Sequence, residues 1–205
     1  GLPSIAAGQE CMELAIDNKL DDMNKIDLNF KLVGELKVVN QKLKAEAADT
    51  KGNACLKTLD AYTDFVAQFD LVLGKTYKGI ICVSGRSNAG GAYLFYIYPH
   101  GLLRIMSLKP PPDAKSDVKN DELDSFTLPL TKEASYQVKV SVVGSVLAMK
   151  IWLASEPEPK GWFVKAEDKT NSGEGKIAIE IQRDQTPGSY SAEIANLKIW
   201  TPKTK

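Results

Sequence analysis

Aromatic side chains occur at alternate positions in two segments whose residue pattern is typical of β-strands. In residues 93–98, Tyr96 and Tyr98 fall on the same face of the predicted strand. In residues 147–153, alternate residues are apolar and Trp152 falls on the opposite face. An aromatic ring with an apolar face and a polar group suits stacking against the C–H faces of sugar rings. We therefore predict that Trp152 and the two tyrosines line a concave sheet that binds sugar, unless loops cover them as a second core layer.

Two polar residues lie beside aromatic or apolar strand segments. Arg86 follows an apolar run typical of a central buried strand, and its guanidinium could donate forked hydrogen bonds to a hydroxyl or carboxylate. His100, the one histidine of the chain, lies in a Tyr-Pro-His-Gly turn, where an exposed side chain is the simplest interpretation. A catalytic histidine needs a nucleophile and an orienting partner, and the sequence assigns neither. Arg86 and His100 therefore join the aromatic residues as candidate ligand-binding residues, and no catalytic residue is assigned.

Acidic residues cluster in one segment that we predict to be a polar surface loop, namely Asp117, Asp121, Glu122 and Asp124. Calcium binds clustered oxygen ligands, so a calcium site remains an alternative here, although the Asp-x-Asp-x-Asp-Gly spacing is absent. A single histidine and three scattered cysteines do not form a zinc pattern. We therefore expect no metal and no cofactor apart from that calcium alternative.

Other carboxylates lie in or beside predicted strands, namely Asp64, Asp70, Glu180 and Glu193. Glycoside hydrolysis usually requires two carboxyl groups across one cleft. The spacing of these residues singles out no such pair.

The cysteines give no clear redox assignment. Cys82 lies in an apolar run, where a buried and unreactive thiol is expected. Cys11 and Cys55 could form a disulfide in a secreted protein, but sequence alone does not supply the geometry that a disulfide requires.

Composition excludes two classes of partner. The chain has 205 residues with 26 basic and 26 acidic side chains, so no broad positive field favours nucleic acid. No apolar run approaches the roughly 20 residues of a membrane-spanning helix, so we expect no membrane insertion. A charged segment followed by an apolar one is also absent, so any export signal has been removed or never existed. The oligomeric state is left open.

Most of the chain alternates between apolar and polar residues, with frequent turns between short segments. This pattern predicts an all-β fold of two packed antiparallel sheets, a jelly-roll sandwich, over residues 29–205. Residues 1–28 differ, because Met12, Ile16 and Met23 belong to an apolar set at helical spacing. We therefore predict a short N-terminal helical extension that packs on the sandwich.

Several segments occur in the order found in a known superfamily. The segment AYTDFVAQF from Ala61 is similar to a "Y-x-D-F" strand, and GIICV from Gly79 is similar to a "G-I-x-F" strand. AYLFYI from Ala92 and GKIAI from Gly175 follow in the expected order. The chain resembles the concanavalin A-like lectin/glucanase superfamily, nearest to its laminin-G-like and DUF1080-type secreted glycosidase relatives. The resemblance implies the sandwich fold from about Gly34 onward.

The resemblance does not extend to the catalytic carboxylates. The relatives' strand reads roughly "G-Y-E-x-Q-I-x-D", and Leu94, Tyr96 and Pro99 stand at its Glu, Gln and Asp positions. The E-x-D-x-E strand of family-16 glucanases is absent as well. These departures favour a non-catalytic glycan-binding module, located outside the cell, at the cell surface or in the periplasm. A divergent glycoside hydrolase and a laminin-G-like protein-interaction module are the alternatives.

Overall fold

A computed structural model describes residues 11–47, 53–111, 113, 115–182 and 190–203. The strands are, in chain order, β1 (Met12–Asn18), β2 (Phe30–Val33), β3 (Leu36–Val39), β4 (Lys42–Ala47), β5 (Ala54–Thr58), β6 (Phe65–Leu73), β7 (Ile80–Asn88), β8 (Gly91–Ile97), β9 (Leu102–Lys109), β10 (Lys119–Thr127), β11 (Ser135–Val143), β12 (Val146–Leu153), β13 (Val164–Glu167), β14 (Lys176–Gln182) and β15 (Tyr190–Pro202). One short helix, α1 (Met23–Ile26), completes the described elements.

The strands form two antiparallel sheets. The eight-stranded sheet has the order β13-β12-β11-β6-β15-β4-β3, and β1 pairs with the last part of β15. The seven-stranded sheet has the order β10-β9-β8-β7-β14-β5-β2. Three runs of consecutive strands, β3–β4, β7–β10 and β11–β13, each stay within one sheet, and the chain crosses between the sheets at the other connections, as in a jelly roll. The all-β sandwich predicted from the alternating pattern is confirmed.

The core lies between the sheets and is built from alternate residues of nearly every strand. Phe65, Phe69 and Leu71 of β6 face Phe95 of β8 and Ile179 of β14 within one continuous apolar cluster. Because side chains of a strand alternate between its two faces, the intervening residues lie on the outer faces of the sandwich. The two outer faces are therefore where exposed functional side chains must lie.

The N-terminal segment is mostly a strand and not a helix. Met12–Asn18 forms β1 and pairs with residues 197–202 of β15, so the helical prediction is wrong for these residues. A helix is confirmed only at Met23–Ile26, where the Asp22 side chain accepts a hydrogen bond from the Asn24 amide and caps it. Backbone pairing with the long β15 outweighs the helical spacing of the apolar residues. Residues 1–10 lie outside the described part of the chain.

The acidic segment also differs from its prediction as a loop. Lys119–Thr127 forms β10, which pairs with β9 at the edge of the seven-stranded sheet. All nine of its residues are exposed or half-buried, as is common for a strand at the edge of a sheet. Polar residues occur on both faces of this strand, so its sequence lacks the alternation of apolar and polar residues by which a strand is predicted.

The turn between β8 and β9 positions the residues of the candidate site. Gly101 adopts φ +101°, and a Cβ there would overlap the carbonyl oxygen of Leu128. The Leu128 amide donates to the carbonyl of Gly101 at 3.0 Å, and the Gly101 amide donates to Tyr98 at 2.9 Å. The turn therefore requires glycine, and it fixes Tyr98 and His100 at one end of the sheet.

All three cysteines are free, so the proposed pairing of Cys11 with Cys55 is not formed. Cys82 is buried, as predicted, with 3% of its surface exposed. No helix among the described residues is long and apolar enough to span a membrane.

Candidate functional site

A row of five titratable side chains crosses the outer face of the seven-stranded sheet. Cys55 pairs with Glu180, Glu180 with Cys82, Cys82 with Tyr96, and Tyr96 with Arg104 in the register of five adjacent strands. Their strand neighbours on either side belong to the core between the sheets. The five side chains therefore lie side by side on one surface, about 4.8 Å from strand to strand.

Four residues at one end of this row form what we call the tyrosine–arginine patch: Tyr96, Tyr98, His100 and Arg104. The rings of Tyr96 and Tyr98 pack edge to face with their centroids 6.1 Å apart, and Tyr98 and His100 follow at 5.6 Å. The guanidinium of Arg104 lies over the Tyr98 ring, 5.6 Å from its centroid. Tyr96 and Tyr98 are half-buried, and His100 is exposed.

Arg104 is held in place by two of its nitrogens. Its Nε donates to Glu122 Oε1 at 2.7 Å, and its Nη1 donates to the Tyr98 hydroxyl at 3.2 Å. The hydrogen bond to Glu122 raises the pKa of Arg104 above its ordinary value. About a third of the Arg104 side chain, 33%, stays exposed, so its remaining donors face solvent.

The hydroxyl of Tyr96 stays protonated at every physiological pH. Burial, followed by the nearby Cys82, Tyr98 and Glu180, raises the pKa of Tyr96 to about 12, and a hydrogen bond with the Gln182 side chain opposes this only in part. A neutral phenol can both donate and accept a hydrogen bond. The row therefore offers an amphipathic ring with a polar edge next to a carboxylate and an amide.

A small apolar cluster continues from the patch along the same face. Cys82, Ala92, Leu94 and Met106 pack together, and Tyr96 packs against them. This cluster is separate from the main core between the sheets. Burial, with a smaller contribution from Glu180, raises the pKa of Cys82 well above its ordinary range, so this thiol is neutral and acts as an apolar side chain.

The carboxylates on this face are far apart. Glu180 lies on β14 and Glu122 on β10, four strands away, which corresponds to roughly 19 Å at normal strand spacing. Of the other strand carboxylates, Asp70 and Glu193 lie on the eight-stranded sheet, and Asp64 binds Arg86. Two-carboxylate hydrolysis needs a separation of roughly 5 to 10 Å, which Glu180 and Glu122 do not provide.

The acids of β10 are engaged individually and not around a common point. Asp121 pairs with Lys109 at 3.0 Å, Glu122 pairs with Arg104, and Asp124 accepts a hydrogen bond from the Lys165 amide at 2.9 Å. The described residues contain no group of three or more acidic, histidine or cysteine side chains placed to hold a metal. The calcium alternative therefore has no geometric support in the described part of the chain.

Trp152 does not share a surface with the two tyrosines, so the prediction of one common aromatic surface is wrong. It lies on β12 of the eight-stranded sheet, whereas Tyr96 lies on β8 of the seven-stranded sheet. Both side chains point away from the core, so they occupy opposite outer faces of the sandwich. Trp152 is also buried, with 8% of its surface exposed, and the Lys150 ammonium lies 5.7 Å from its ring centroid. Strand alternation gave the correct face of each strand but not the sheet.

Arg86 is a buried structural residue and cannot contact a ligand as predicted. Only 2% of its surface is exposed. Its Nε donates to the Thr63 carbonyl at 2.7 Å, Nη1 to the Asn171 carbonyl at 3.0 Å, and Nη2 to Asp64 at 2.9 Å and the Gly144 carbonyl at 2.8 Å. These contacts tie together loops at one end of the sandwich.

The cause of this burial is a local irregularity in β7. The pairing of β7 with β8 and with β14 shifts register around Arg86, which adopts φ +48°. A β-bulge adds one residue to a strand and reverses which face the following side chain occupies. Regular alternation would place Arg86 outward, on the same face as Cys82, and the bulge turns it inward.

The sequence interpretation did not name Arg104 or Gln182, and it named Glu180 only as one of four strand carboxylates without assigning it to this face. Arg104 could have been found by pairing the two strands across the Pro-His-Gly turn, because that hairpin sets Tyr96 opposite residue 104. The position of Glu180 and Gln182 beside this hairpin could not be predicted in this way, because the adjacency of β14 and β7 depends on a long crossover.

Comparison with known proteins identifies the fold. No family model matches the sequence, and no curated protein matches it either. The legume lectin-like domain from Entamoeba histolytica superimposes with a TM-score of 0.70 at 9% identity, covering 92% of this chain and 97% of that one. The carbohydrate-binding module CBM66 from Bacillus subtilis gives 0.60 at 14% identity, with coverage of 82% and 93%.

A Bacillus licheniformis β-glucanase also superimposes, with a TM-score of 0.63 at 5% identity and coverage of 92% and 98%. At these identities the likeness shows a common fold and nothing about activity. The chain therefore has the concanavalin A-like sandwich fold that its sequence resembles.

Proposed function

We propose that the protein binds glycans on the outer face of the seven-stranded sheet, through the tyrosine–arginine patch. The observation that carries this proposal is the packing of Tyr96, Tyr98 and His100 against one another, with Arg104 fixed over Tyr98. Half-buried aromatic rings offer apolar faces to the C–H groups of sugars. The guanidinium of Arg104 supplies directed donors to hydroxyl oxygens.

The rigidity of the patch supports binding over incidental exposure. Arg104 is bonded to both Glu122 and Tyr98, and Tyr96 packs on an apolar cluster of its own. A ligand that binds here meets side chains that are already ordered, which reduces the entropy lost on association. Solved structures of the same fold include a carbohydrate-binding module, a lectin-like domain and a glucanase, and this agrees with a sugar ligand.

The charges on this face favour a neutral glycan. Glu122 neutralises Arg104, and Glu180 is the next charged side chain along the row. Within the patch, the one guanidinium is paired with Glu122, and this pairing disfavours the selection of an acidic polysaccharide. A carboxylate such as Glu180 can instead accept hydrogen bonds from sugar hydroxyls.

A glycan array followed by calorimetric titration tests the proposal. The wild type should bind at least one class of neutral oligosaccharide, and Tyr98→Ala should weaken that binding at least about tenfold. Phe126→Ala is the matched control, because Phe126 is an exposed aromatic that stacks on Phe163 and not on the patch. Equal affinities of the wild type and Tyr98→Ala would remove the patch as the binding site.

The same oligosaccharides distinguish a binding protein from a hydrolase. The separation of Glu180 and Glu122 leads us to expect binding with no release of reducing ends, even after prolonged incubation. Release that depends on Glu180 would instead establish the divergent hydrolase. A glycan-binding role also places the protein where polysaccharides are found, at the cell surface or outside the cell.

A further inference from the structure

A second group of polar residues lies under a loop on the opposite side of the sandwich. Residues 155–163, which we call the strap, connect β12 to β13 and fold back over the outer face of the eight-stranded sheet. Glu158 of the strap contacts two lysines of the sheet through the same oxygen, Oε1, at 2.8 Å from Lys139 and 2.9 Å from Lys150. Lys150 also donates to the Pro159 carbonyl at 2.6 Å. The strap therefore contacts the sheet at this lysine pair, and the Phe163 amide also donates to the Met149 carbonyl at 3.1 Å.

The two lysines are buried and adjacent. They lie directly opposite each other on β11 and β12, and only 8% of the Lys139 side chain and 6% of the Lys150 side chain are exposed. Like charges that are directly opposite in a sheet destabilise it, and a buried charge needs a partner. Two ammonium groups thus share one carboxylate, which leaves one positive charge in excess.

Among the described residues, Glu158 is the only carboxylate within 4 Å of either lysine ammonium. Asp70 is the nearest carboxylate in the next row of the sheet, and both of its oxygens accept from amides, one from Gln137 and one from Asn196. The neighbour of Lys139 on its other side, across β6, is Gln68, which donates to Gln137 at 3.0 Å. Lys198 lies beyond Gln68 in the same row, and Asp17 of β1 lies directly opposite it, so these two residues add no net charge to the row.

Aromatic rings flank the lysine pair. The Lys150 ammonium lies 4.8 Å from the ring centroid of Trp162 in the strap and 5.7 Å from that of Trp152 in the sheet. Glu158 itself is 42% exposed, so its carboxylate lies where an anion from solvent could take its place. Two clustered cations between aromatic rings are a suitable environment for a negatively charged group on a ring-shaped ligand.

We propose that the lysine pair is a second binding site, for a sulfate or carboxylate group, and that Glu158 is its built-in occupant. An incoming anion would replace the Glu158 carboxylate between Lys139 and Lys150, and the strap would move away from the sheet. The anion can be free or carried by an acidic saccharide, since both present the same chemistry. This site lies on the face opposite the tyrosine–arginine patch and does not depend on the function proposed for that patch.

Tryptophan fluorescence can follow binding at this site. Trp152 and Trp162 both contact Lys150, and Trp200→Phe removes the third tryptophan so that the signal comes from the site alone. Sodium sulfate is titrated into this background with the ionic strength held constant by sodium chloride. Glu158→Gln removes the competing charge and should bind sulfate with an apparent Kd at least tenfold lower than the parent. Lys139→Met in the Glu158→Gln protein should abolish the saturable response.

Two results would overturn the proposal: a Glu158→Gln protein that titrates like its parent, or a response that survives Lys139→Met. If Glu158→Gln does not fold, the thermal midpoint of the wild type decides the matter. Sulfate should then raise the thermal midpoint of the wild type more than chloride does at equal ionic strength. In Lys139→Met, sulfate and chloride should have the same effect. If sulfate raises the midpoints of the wild type and Lys139→Met equally, the site is contradicted.

A sulfated oligosaccharide and its desulfated form identify the source of the anion. Tighter binding of the sulfated form than of free sulfate indicates a saccharide ligand, and equal affinity indicates the free anion. Tyr98→Ala should leave all of these titrations unchanged, so failure of one site is distinguishable from failure of the other.

Discussion

The guanidinium of Arg104 lies 5.6 Å from the ring centroid of Tyr98 and also donates a hydrogen bond to the hydroxyl of that tyrosine. Arg104 thus contacts both the face of the Tyr98 ring and the hydroxyl at its edge. Glu122 holds the guanidinium from the other side through Nε. The orientation of Tyr98 therefore depends on a planar group with several donors, which a lysine ammonium does not reproduce.

Arg104→Lys should accordingly weaken glycan binding while leaving the fold intact. We expect a loss of affinity of about tenfold for any glycan that the wild type binds, because the fork that orders Tyr98 is lost. The free energy of unfolding should fall by less than about 1 kcal/mol, since the ion pair with Glu122 is exposed. Calorimetric titration and urea denaturation measure the two quantities. Unchanged affinity would show that Arg104 does not organise the patch.

Arg86→Met should have the opposite profile, with a large loss of stability. The substitution removes the guanidinium donor from the carbonyls of Thr63, Asn171 and Gly144, and it leaves the Asp64 carboxylate with the hydrogen bond from the Gly144 amide. Removing one partner from a buried charged network costs about 3 kcal/mol or more. Urea denaturation of Arg86→Met beside Arg104→Lys compares a buried with an exposed arginine. Similar small losses in both would contradict the structural role of Arg86.

These two arginines show what the sequence can and cannot predict. Phe65, Phe69 and Leu71 follow the alternating pattern and are buried in the core, because a strand with one buried face repeats every two residues. The same rule does not hold at Arg86, because a bulge inserts a residue there and turns the side chain inward. The regular alternation of a strand can be predicted from the sequence, but a single bulge that interrupts it was not.

The sheet to which each strand belongs could not be predicted from the alternating pattern either. Trp152 and Tyr96 both fall on the outward face of their strands, yet those strands belong to different sheets. Which strands are neighbours depends on long crossovers that are set by the packing of the whole chain. The edge strand Lys119–Thr127 was also missed, because its side chains are exposed or half-buried on both faces and its sequence therefore lacks alternation.

Gly101→Ala should destabilise the turn that carries the patch. Gly101 has φ +101°, and an alanine Cβ would overlap the Leu128 carbonyl oxygen, so both strain and steric conflict oppose the change. We expect a loss of at least about 2 kcal/mol in the free energy of unfolding. Gly161→Ala is the matched control, because an added Cβ there meets nothing within 4 Å. A loss in Gly101→Ala no larger than in the control would refute the requirement for glycine.

The three thiols should react in a fixed order with a thiol reagent. Cys11 is exposed and should be modified first in the native protein. Cys55 is half-buried, and burial together with the nearby Glu180 raises its pKa, so it should react more slowly. Cys82 should react only after unfolding, because it is buried in the apolar cluster beside Tyr96.

Mass spectrometry of the labelled peptides, with and without denaturant, assigns each modification to its cysteine. Cys11→Ser should remove the fast phase and leave the other two unchanged. Rapid labelling of Cys82 in the native protein would mean that the outer face of β7 opens readily.

The contact between Glu158 and the two lysines should make part of the stability depend on pH. Burial alone raises the pKa of Glu158, but hydrogen bonds and charges from Lys139 and Lys150 outweigh it, so the pKa in the folded protein lies below the ordinary value of 4.5. A carboxyl group with a lowered pKa stabilises the fold at every pH above its unfolded value. That contribution declines as the pH falls from about 5 through the folded pKa, because the unfolded chain takes up the proton first. Glu158→Gln cannot titrate and lacks this contribution throughout.

We therefore expect the wild type to be more stable than Glu158→Gln by a constant amount from about pH 6 to 8, and the two to converge as the pH falls below 4.5 and through the folded pKa of Glu158. Urea denaturation at a series of pH values gives both curves. Glu156→Gln removes the same charge from an exposed position two residues away in the strap, and its difference from the wild type should not follow this course. A difference between wild type and Glu158→Gln that is independent of pH, or that grows toward low pH, would show that the lysine pair does not hold the strap through this carboxylate.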